Sequence, residues 1–237
     1  MTGITPTAPS GPVSSVPEVI TRMESLVAAF PATDGVACFI RMYLIVTREV
    51  ARRIGAGFFA DPGFMARLDV VFANLFFAAV DGWAANPRSM PRSWTVLFAR
   101  RTDRDVAPLQ FALAGMNAHI NHDLPQAVVA TCRDLGTAPG DGPHEADYEK
   151  VNVVLGELAE TIRQSFETGI ILELDRQFDG LENVVGNFSI SAAREVAWAN
   201  AVTLWHLRRE EALTGLFLDG LDRTVAFAGR GLLLPLG

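Results

Sequence analysis

A chain of 237 residues, 49% of them hydrophobic, is long enough to bury one sizeable core and does not require a second domain. Its formal charge of −7 and pI near 5.1 argue against a nucleic-acid or anionic-membrane surface, where a basic stripe is needed. The two cysteines, Cys38 and Cys132, lie far apart in apolar surroundings, which argues against a disulfide framework or cysteine-rich zinc site and fits a reducing cytoplasm.

Residues 1–15 are rich in Thr, Pro, Ser and Gly and hold neither a basic residue nor an apolar stretch, so they read as a disordered leader rather than a signal peptide. Residues 16–237 read as a single helical domain. Ser15, Pro17 and Glu18 open a first helix that runs to Phe30. Gly35 to Ile54 is a second, with Phe39, Tyr43, Val46 and Val50 on one stripe and Gly55-Ala56-Gly57 as its stop. Asp61-Pro62 starts a third, carrying Phe64, Leu68, Phe72, Leu75 and Phe76 to about Trp83. Its apolar run, Val70 to Val80, is short for a membrane span and contains Asn74. A short helix spans Trp94 to Arg101. Pro108 opens the next, which Pro125 predicts to be broken or kinked near Asp123 before it resumes to Leu135. After the Gly136–Pro143 loop, a helix from about Glu145 to Leu174, a loop through Gly180 and Gly186, a last long helix from Ser189 to Leu218 and a short tail to Leu234 complete the chain. No strand-like alternation and no internal repeat is present. The expectation is an all-α fold of about seven to eight helices.

The segment Gly115-Met-Asn-Ala-His-Ile-Asn-His-Asp-Leu-Pro125 concentrates two of four histidines, an aspartate and two asparagines within an apolar helical context. On a helix His119 and Asp123 are four apart and His119 and His122 three apart, so all three can share a face. One reading is a metal set of His119, His122 and Asp123, suited to zinc, iron or manganese. A second is an acid/base pair, with Asp123 orienting His119 and with Asn117 and Asn121 positioning a substrate. A third is structural: Asp123 caps the helix after the break, and the asparagines satisfy freed backbone groups.

Metal templates find little support elsewhere. The chain has no His-Glu-x-x-His and no Glu-x-x-His, and His122-Asp123 lacks the upstream histidine that HD-type phosphohydrolases require. Further ligands would have to come from Asp69, Asp81, His144, Asp147, Glu167 or His206. Asn187, Ser191 and Glu195 have the spacing terpene synthases use for magnesium, but the aspartate-rich partner motif is absent and Ser189 and Ser191 suit a helix start. Tyr43, Asp69 and Asn74 punctuate apolar helices and are candidates to line a pocket, with Trp198 as an aromatic wall beside Asn200, Trp205 and His206. Asp147 and Asn152 flank Tyr148, and Asp147 can cap its own helix. The absence of Gly-x-Gly-x-x-Gly, a Walker loop and a nucleophile elbow disfavours a nucleotide cofactor and serine-hydrolase chemistry.

The stretch Phe111 to Pro125, above all Asn117-Ala-His-Ile-Asn-x-Asp-Leu124, resembles the signature of an uncharacterised all-helical family of high-GC bacteria, domain of unknown function 5995. The resemblance extends over Arg41–Leu44, Leu68-Asp69, Phe72–Phe77, Asp147-Tyr148 and Val151-Asn152, and so over most of the chain. It ranks Asn117, His119, Asn121 and Asp123 above His122, and it implies no activity. Arginine in place of lysine, with Lys150 alone, fits such a genome. The expectation is a cytoplasmic enzyme acting on a small apolar molecule between helices. The alternative is a non-catalytic binding or interaction protein whose motif stabilises a buried helix break.

Overall fold

The computed structural model describes residues 10–168 and 189–235; among these are nine α-helical segments and no strand. They are α1 (Val16–Ala29), α2 (Gly35–Gly55), α3 (Pro62–Ala85), α4 (Arg92–Arg100), α5 (Pro108–Ala118), α6 (Leu124–Leu135), α7 (His144–Thr168), α8 (Ile190–Leu207) and α9 (Glu211–Leu232). A π turn, His119–Asp123, joins α5 to α6 without interruption, so the segments form eight rods. The fold is all-α, as the periodicity requires.

Local chemistry sets most boundaries. Side chains of Ser15, Asp34, Asp61 and Ser189 accept backbone N–H bonds at the starts of α1, α2, α3 and α8. Gly136, at φ 69°, takes the left-handed turn that ends α6. Pro91 offers no such cap to α4. The carboxylate of Asp222 on α9 substitutes for it, accepting from the amides of Arg92 and Ser93 at 2.9 Å each.

Two boundaries differ from expectation. The helix predicted over Ser189–Leu218 ends at Leu207, and the presumed short tail belongs to the 22-residue α9. No Gly or Pro marks the break at Arg208–Glu210. Glu210 N–H and the Thr214 hydroxyl both bond Leu207 O at 2.8 Å, and the Arg208 guanidinium lies 4.0 Å over the Trp205 ring. Those are tertiary and side-chain choices that periodicity does not report. The predicted end of α7 near Leu174, the following loop and Asn187 lie outside the described residues.

The interior has two parts. One is built by α1 to α5 around Met23, Phe39, Phe76, Trp94 and Phe111. The other joins the start of α3 to α6, α7 and α8 around Phe64, Leu68, Val128, Tyr148 and Trp198. Ala118 belongs to the first and Ile120 to the second, so the π turn lies at their junction. Cys38 and Cys132 are free and buried in different parts. The apolar helix α3 is long enough to cross a membrane by length and composition, but 56% of its most apolar window is buried inside the fold.

Part of the expected leader is tied down. Asn74 on α3 pairs with Val13 through both halves of its carboxamide, at 2.9 Å each, and Asp81 accepts from Gly11 N–H at 3.0 Å. Arg22 bonds Gly11 O and makes a 2.7 Å ion pair with Asp81.

Candidate functional site

The π turn is the chain's answer to Pro125. A proline inside an α-helix lacks its N–H and clashes with the carbonyl four residues back. Here the helix neither breaks nor frees a terminus. It widens, with Leu124 N–H donating to His119 O five residues earlier. Because no helix start is exposed, Asp123 makes no cap and its carboxylate points inward.

Three N–H groups converge on that carboxylate. His119 Nδ1–H donates to Oδ2 at 3.0 Å, His122 Nδ1–H to Oδ1 at 2.7 Å, and Trp94 Nε1–H from α4 to Oδ2 at 2.9 Å. Asp123, His119 and His122 are all buried. Burial drives the Asp123 carboxyl upward, but the hydrogen bonds from His119 and His122 outweigh it and hold the group below the usual carboxylate range. Burial lowers His119, which Asp123 only partly offsets. For His122 burial is overcome by Asp123 and by Asp222, whose Oδ1 is 3.8 Å from Nε2, and the ring titrates higher than usual.

His119 is set inside an aromatic cage. Phe72 of α3 stacks on it at 3.5 Å with 4° between planes, and Tyr43 of α2 meets it edge-on at 4.6 Å. Phe39, Phe76 and Trp94 complete the surround at 5.7, 6.1 and 5.9 Å. With Nδ1 committed to Asp123, Nε2 is left buried without a hydrogen-bond partner. The Tyr43 hydroxyl and Thr47 Oγ1 are buried beside one another, and Asp69 Oδ2 is buried and unpartnered as well. Thr47 is one turn along α2 from Tyr43, and Asp69 one turn along α3 from Phe72. Burial, then the charges of Asp69 and Asp123, push the Tyr43 phenol well up, against a smaller opposing effect of the Thr47 hydroxyl. Burial alone raises Asp69 to about 7. Unpaired buried polar groups each cost about 1–3 kcal/mol, so two in one region, His119 Nε2 and Asp69 Oδ2, are a concession to something other than stability.

The structure therefore brings together His119, His122, Asp123, Tyr43 and Asp69. Asn117 and Asn121 form an adjacent line: Asn121 Nδ2 donates to Asn117 Oδ1 at 3.1 Å, and Asn117 Nδ2 donates to Val225 O of α9 at 2.9 Å. Asn74 is elsewhere, occupied with Val13. Trp198 is in the other part of the interior, 4.7 Å from Tyr148, and borders a separate groove of about 500 Å³ with Ala138, Trp205 and His206.

Among the described residues no three His, Cys, Asp or Glu form a group that could hold a metal ion. The trio is bonded to itself rather than converging on a common point, so a metal-ligand role for His119, His122 and Asp123 would require those bonds to break. The other candidate ligands are dispersed. Asp147 accepts the amides of Ala60 and Asp61, at 2.9 and 2.6 Å, rather than capping α7, and binds Lys150 at 2.8 Å. His144 stacks on Phe64 at 4.0 Å, and His206 donates to Val202 O from the surface. The Glu167 side chain lies outside what is described, and Ser189 caps α8.

Trp94, Thr47 and Asp222 were not legible as site residues. A buried indole needs an acceptor, which makes Trp94 findable in principle, but the sequence does not say which acceptor. Asp222 was hidden in the presumed tail.

A family model matches residues 16–235, and its description is a family of unknown function (DUF5995). The chain belongs to the DUF5995 family. No curated protein matches the chain, and neither does any solved structure. Membership agrees with the resemblance drawn from the Asn117–Leu124 segment and carries no activity with it, so the chemistry rests on the geometry of that segment.

Proposed function

We propose that this DUF5995 chain is an enzyme that moves a proton on a small apolar molecule, with His119 as the base. The observation that carries the reading is the divided state of the His119 ring, with Nδ1–H held by Asp123 and Nε2 unpaired inside the cage. A carboxylate on one nitrogen fixes the tautomer and leaves the other as a lone-pair acceptor. Burial keeps the ring neutral, so the lone pair is available near neutral pH. Asp69, raised to about 7, is the matching acid, and the Tyr43 hydroxyl stays protonated beside it. Environments that separate titratable groups into one base and one acid suit proton transfer.

The aromatic walls offer apolar contact rather than charge or phosphate recognition. A proton taken from one carbon by His119 and one given to another atom by Asp69 leave the substrate's composition unchanged. His119 then loses its proton to solvent while Asp69 regains one, so an isomerisation or cyclisation needs no further co-reactant. Phe72, only partly buried and stacked directly on His119, is the ring whose rotation would open the cage.

A second reading is favoured by one observation, the full engagement of Asp123 by three donors. In it the motif only holds the π turn of a non-catalytic helical binding or interaction protein. The two are separated by solvent exchange. A panel of cyclic ketones and enones is incubated with the protein in deuterated water and followed by proton NMR. The enzyme reading expects deuterium to enter the position next to the carbonyl of at least one compound, and exchange to be lost in folded His119→Ala and Asp69→Asn variants. No exchange above buffer across the panel, from a folded wild-type protein, would sink it.

A further inference from the structure

The last long helix has a face that the described residues do not cover. α9 packs Val225, Ala226 and Gly229 inward, toward α4 and α5, with Gly229 closely approached by Asn117 and Val96. Its opposite face carries Leu213, Leu216 and Phe227 at 50%, 71% and 74% exposure. Leu216 and Phe227 are eleven residues apart, three helical turns, and so point the same way. Between them on that face are Gly220, Arg223 and Asp219, all exposed, and nothing lies within 4 Å of a side-chain carbon built on Gly220. Single exposed apolar residues are ordinary, but large ones in register along one helix face mark an interaction surface.

The charges on this face say which surface fits it. Place a second α9 antiparallel, with Leu216 of one copy opposite Phe227 of the other. Gly220 then faces Arg223 of the second copy, and Asp219 comes beside that same guanidinium. Each contact occurs twice, as a two-fold axis requires. A parallel pair would instead set Arg223 against Arg223 and Asp219 against Asp219. Gly220 matters because it lets the opposing arginine cross the partner backbone to reach Asp219. Within one chain Arg223 already pairs with Asp219 at 2.8 Å, and Asp219 with Arg92 at 3.2 Å, so the second copy would extend an existing network.

We infer that α9 is a homodimerisation helix, pairing antiparallel with α9 of a second copy through Leu216, Gly220, Arg223 and Phe227. The inference is independent of the catalytic reading, because the face lies opposite the one that reaches Asn117. Its 22 residues run about 33 Å, and a strip one helix wide, 10–12 Å, gives roughly 700–800 Å² in total. That is below the usual range for a permanent interface, so the dimer is a reversible one.

The test is sedimentation of the full chain across a concentration series. The expected result is a mass that rises from one chain toward two over about 1–100 µM, as micromolar affinity implies. Leu216→Glu and Phe227→Glu should each hold the protein at one chain with unchanged helical circular dichroism. Arg223→Asp should weaken the dimer by tenfold or more, and adding Asp219→Arg to it should restore association. Non-specific apolar sticking would not recover on a charge exchange. A wild-type protein that remains a single chain throughout overturns the inference, as does a dimer indifferent to all these substitutions. So does a single chain that sediments with phosphatidylcholine–phosphatidylserine vesicles through Leu216 and Phe227, since the face would then be a lipid surface.

Discussion

Asp69 shows how one buried carboxyl ties function to pH. Folding takes it from the solvent to a site with 9% exposure and an unpartnered Oδ2, and burial moves it from 3.8 to about 7. The folded chain therefore binds more protons than the unfolded one between those values. Its stability is fully present below the unfolded value and is lost as pH rises toward 7. At 1.36 kcal/mol per unit, the full excursion is on the order of 4 kcal/mol. Asp69→Asn, which needs no proton, should match the wild type in denaturant midpoint at pH 4 and exceed it at pH 8 by up to that amount. Equal midpoints at both pH values would show that Asp69 is not held neutral by the fold. His119 works in the opposite sense, since burial lowers it and its contribution is lost as pH falls below 6.5. At this scale the sequence was informative about identity but not about state. Tyr43, Asp69, His119 and Asp123 stand out in an apolar chain because each polar group there needs a reason. Which of them would be hydrogen-bonded, and which left unpaired, was not readable from their spacing.

At the level of elements, the site is framed by two helices that approach unusually closely. α2 and α5 interlock by exchange of a ring and a glycine at each end. Phe111 of α5 fills the space over Gly35 of α2, and Phe39 of α2 the space over Gly115 of α5. A methyl group at Gly115 would overlap the Phe39 ring, which is itself part of the His119 cage. Gly115→Ala gains about 1 kcal/mol in helix propensity, and overpacking in a filled core costs about 1–3 kcal/mol. We expect net destabilisation by thermal unfolding, with a shift in the His119 ring resonances; a more stable protein would mean that α2 and α5 part easily. The π turn belongs here too. Pro125 announced a disturbance near Asp123, and a disturbance is present. A widened turn took the place of the expected break or kink, with the flanking helices packed into the two halves of the core. That difference turned Asp123 from a cap into the acceptor of three buried donors.

On the scale of the whole molecule, residues distant in sequence close the structure. Asn74, expected near a ligand, holds the backbone of Val13 with both ends of its amide, and Asp81 and Arg22 secure Gly11 next to it. Asn74→Ala should cost about 1–2 kcal/mol, the loss of two partly buried hydrogen bonds. Amide hydrogen exchange at Gly11 and Val13 should then accelerate while exchange in α3 is unchanged. Slow exchange at Val13 in the variant would show that other contacts hold the segment. α9 closes the opposite side. Its Asp222 completes α4, its Val225 carbonyl receives Asn117, and it brings a second carboxylate to His122.

The all-α class, most helix starts, Pro125 as a point of stress and the polar residues of the central segment all follow from the chain read alone. Helix periodicity, capping side chains and proline geometry are local physics, expressed within a turn or two. The pairing of Asp123 with Trp94, the stacking of Phe72 on His119, the His119 Nε2 left unpaired among aromatic rings, and the split that makes α9 a helix of its own were decided only in three dimensions. Each depends on which elements meet, and a carboxylate or an imidazole records in sequence that it needs a partner without recording which one.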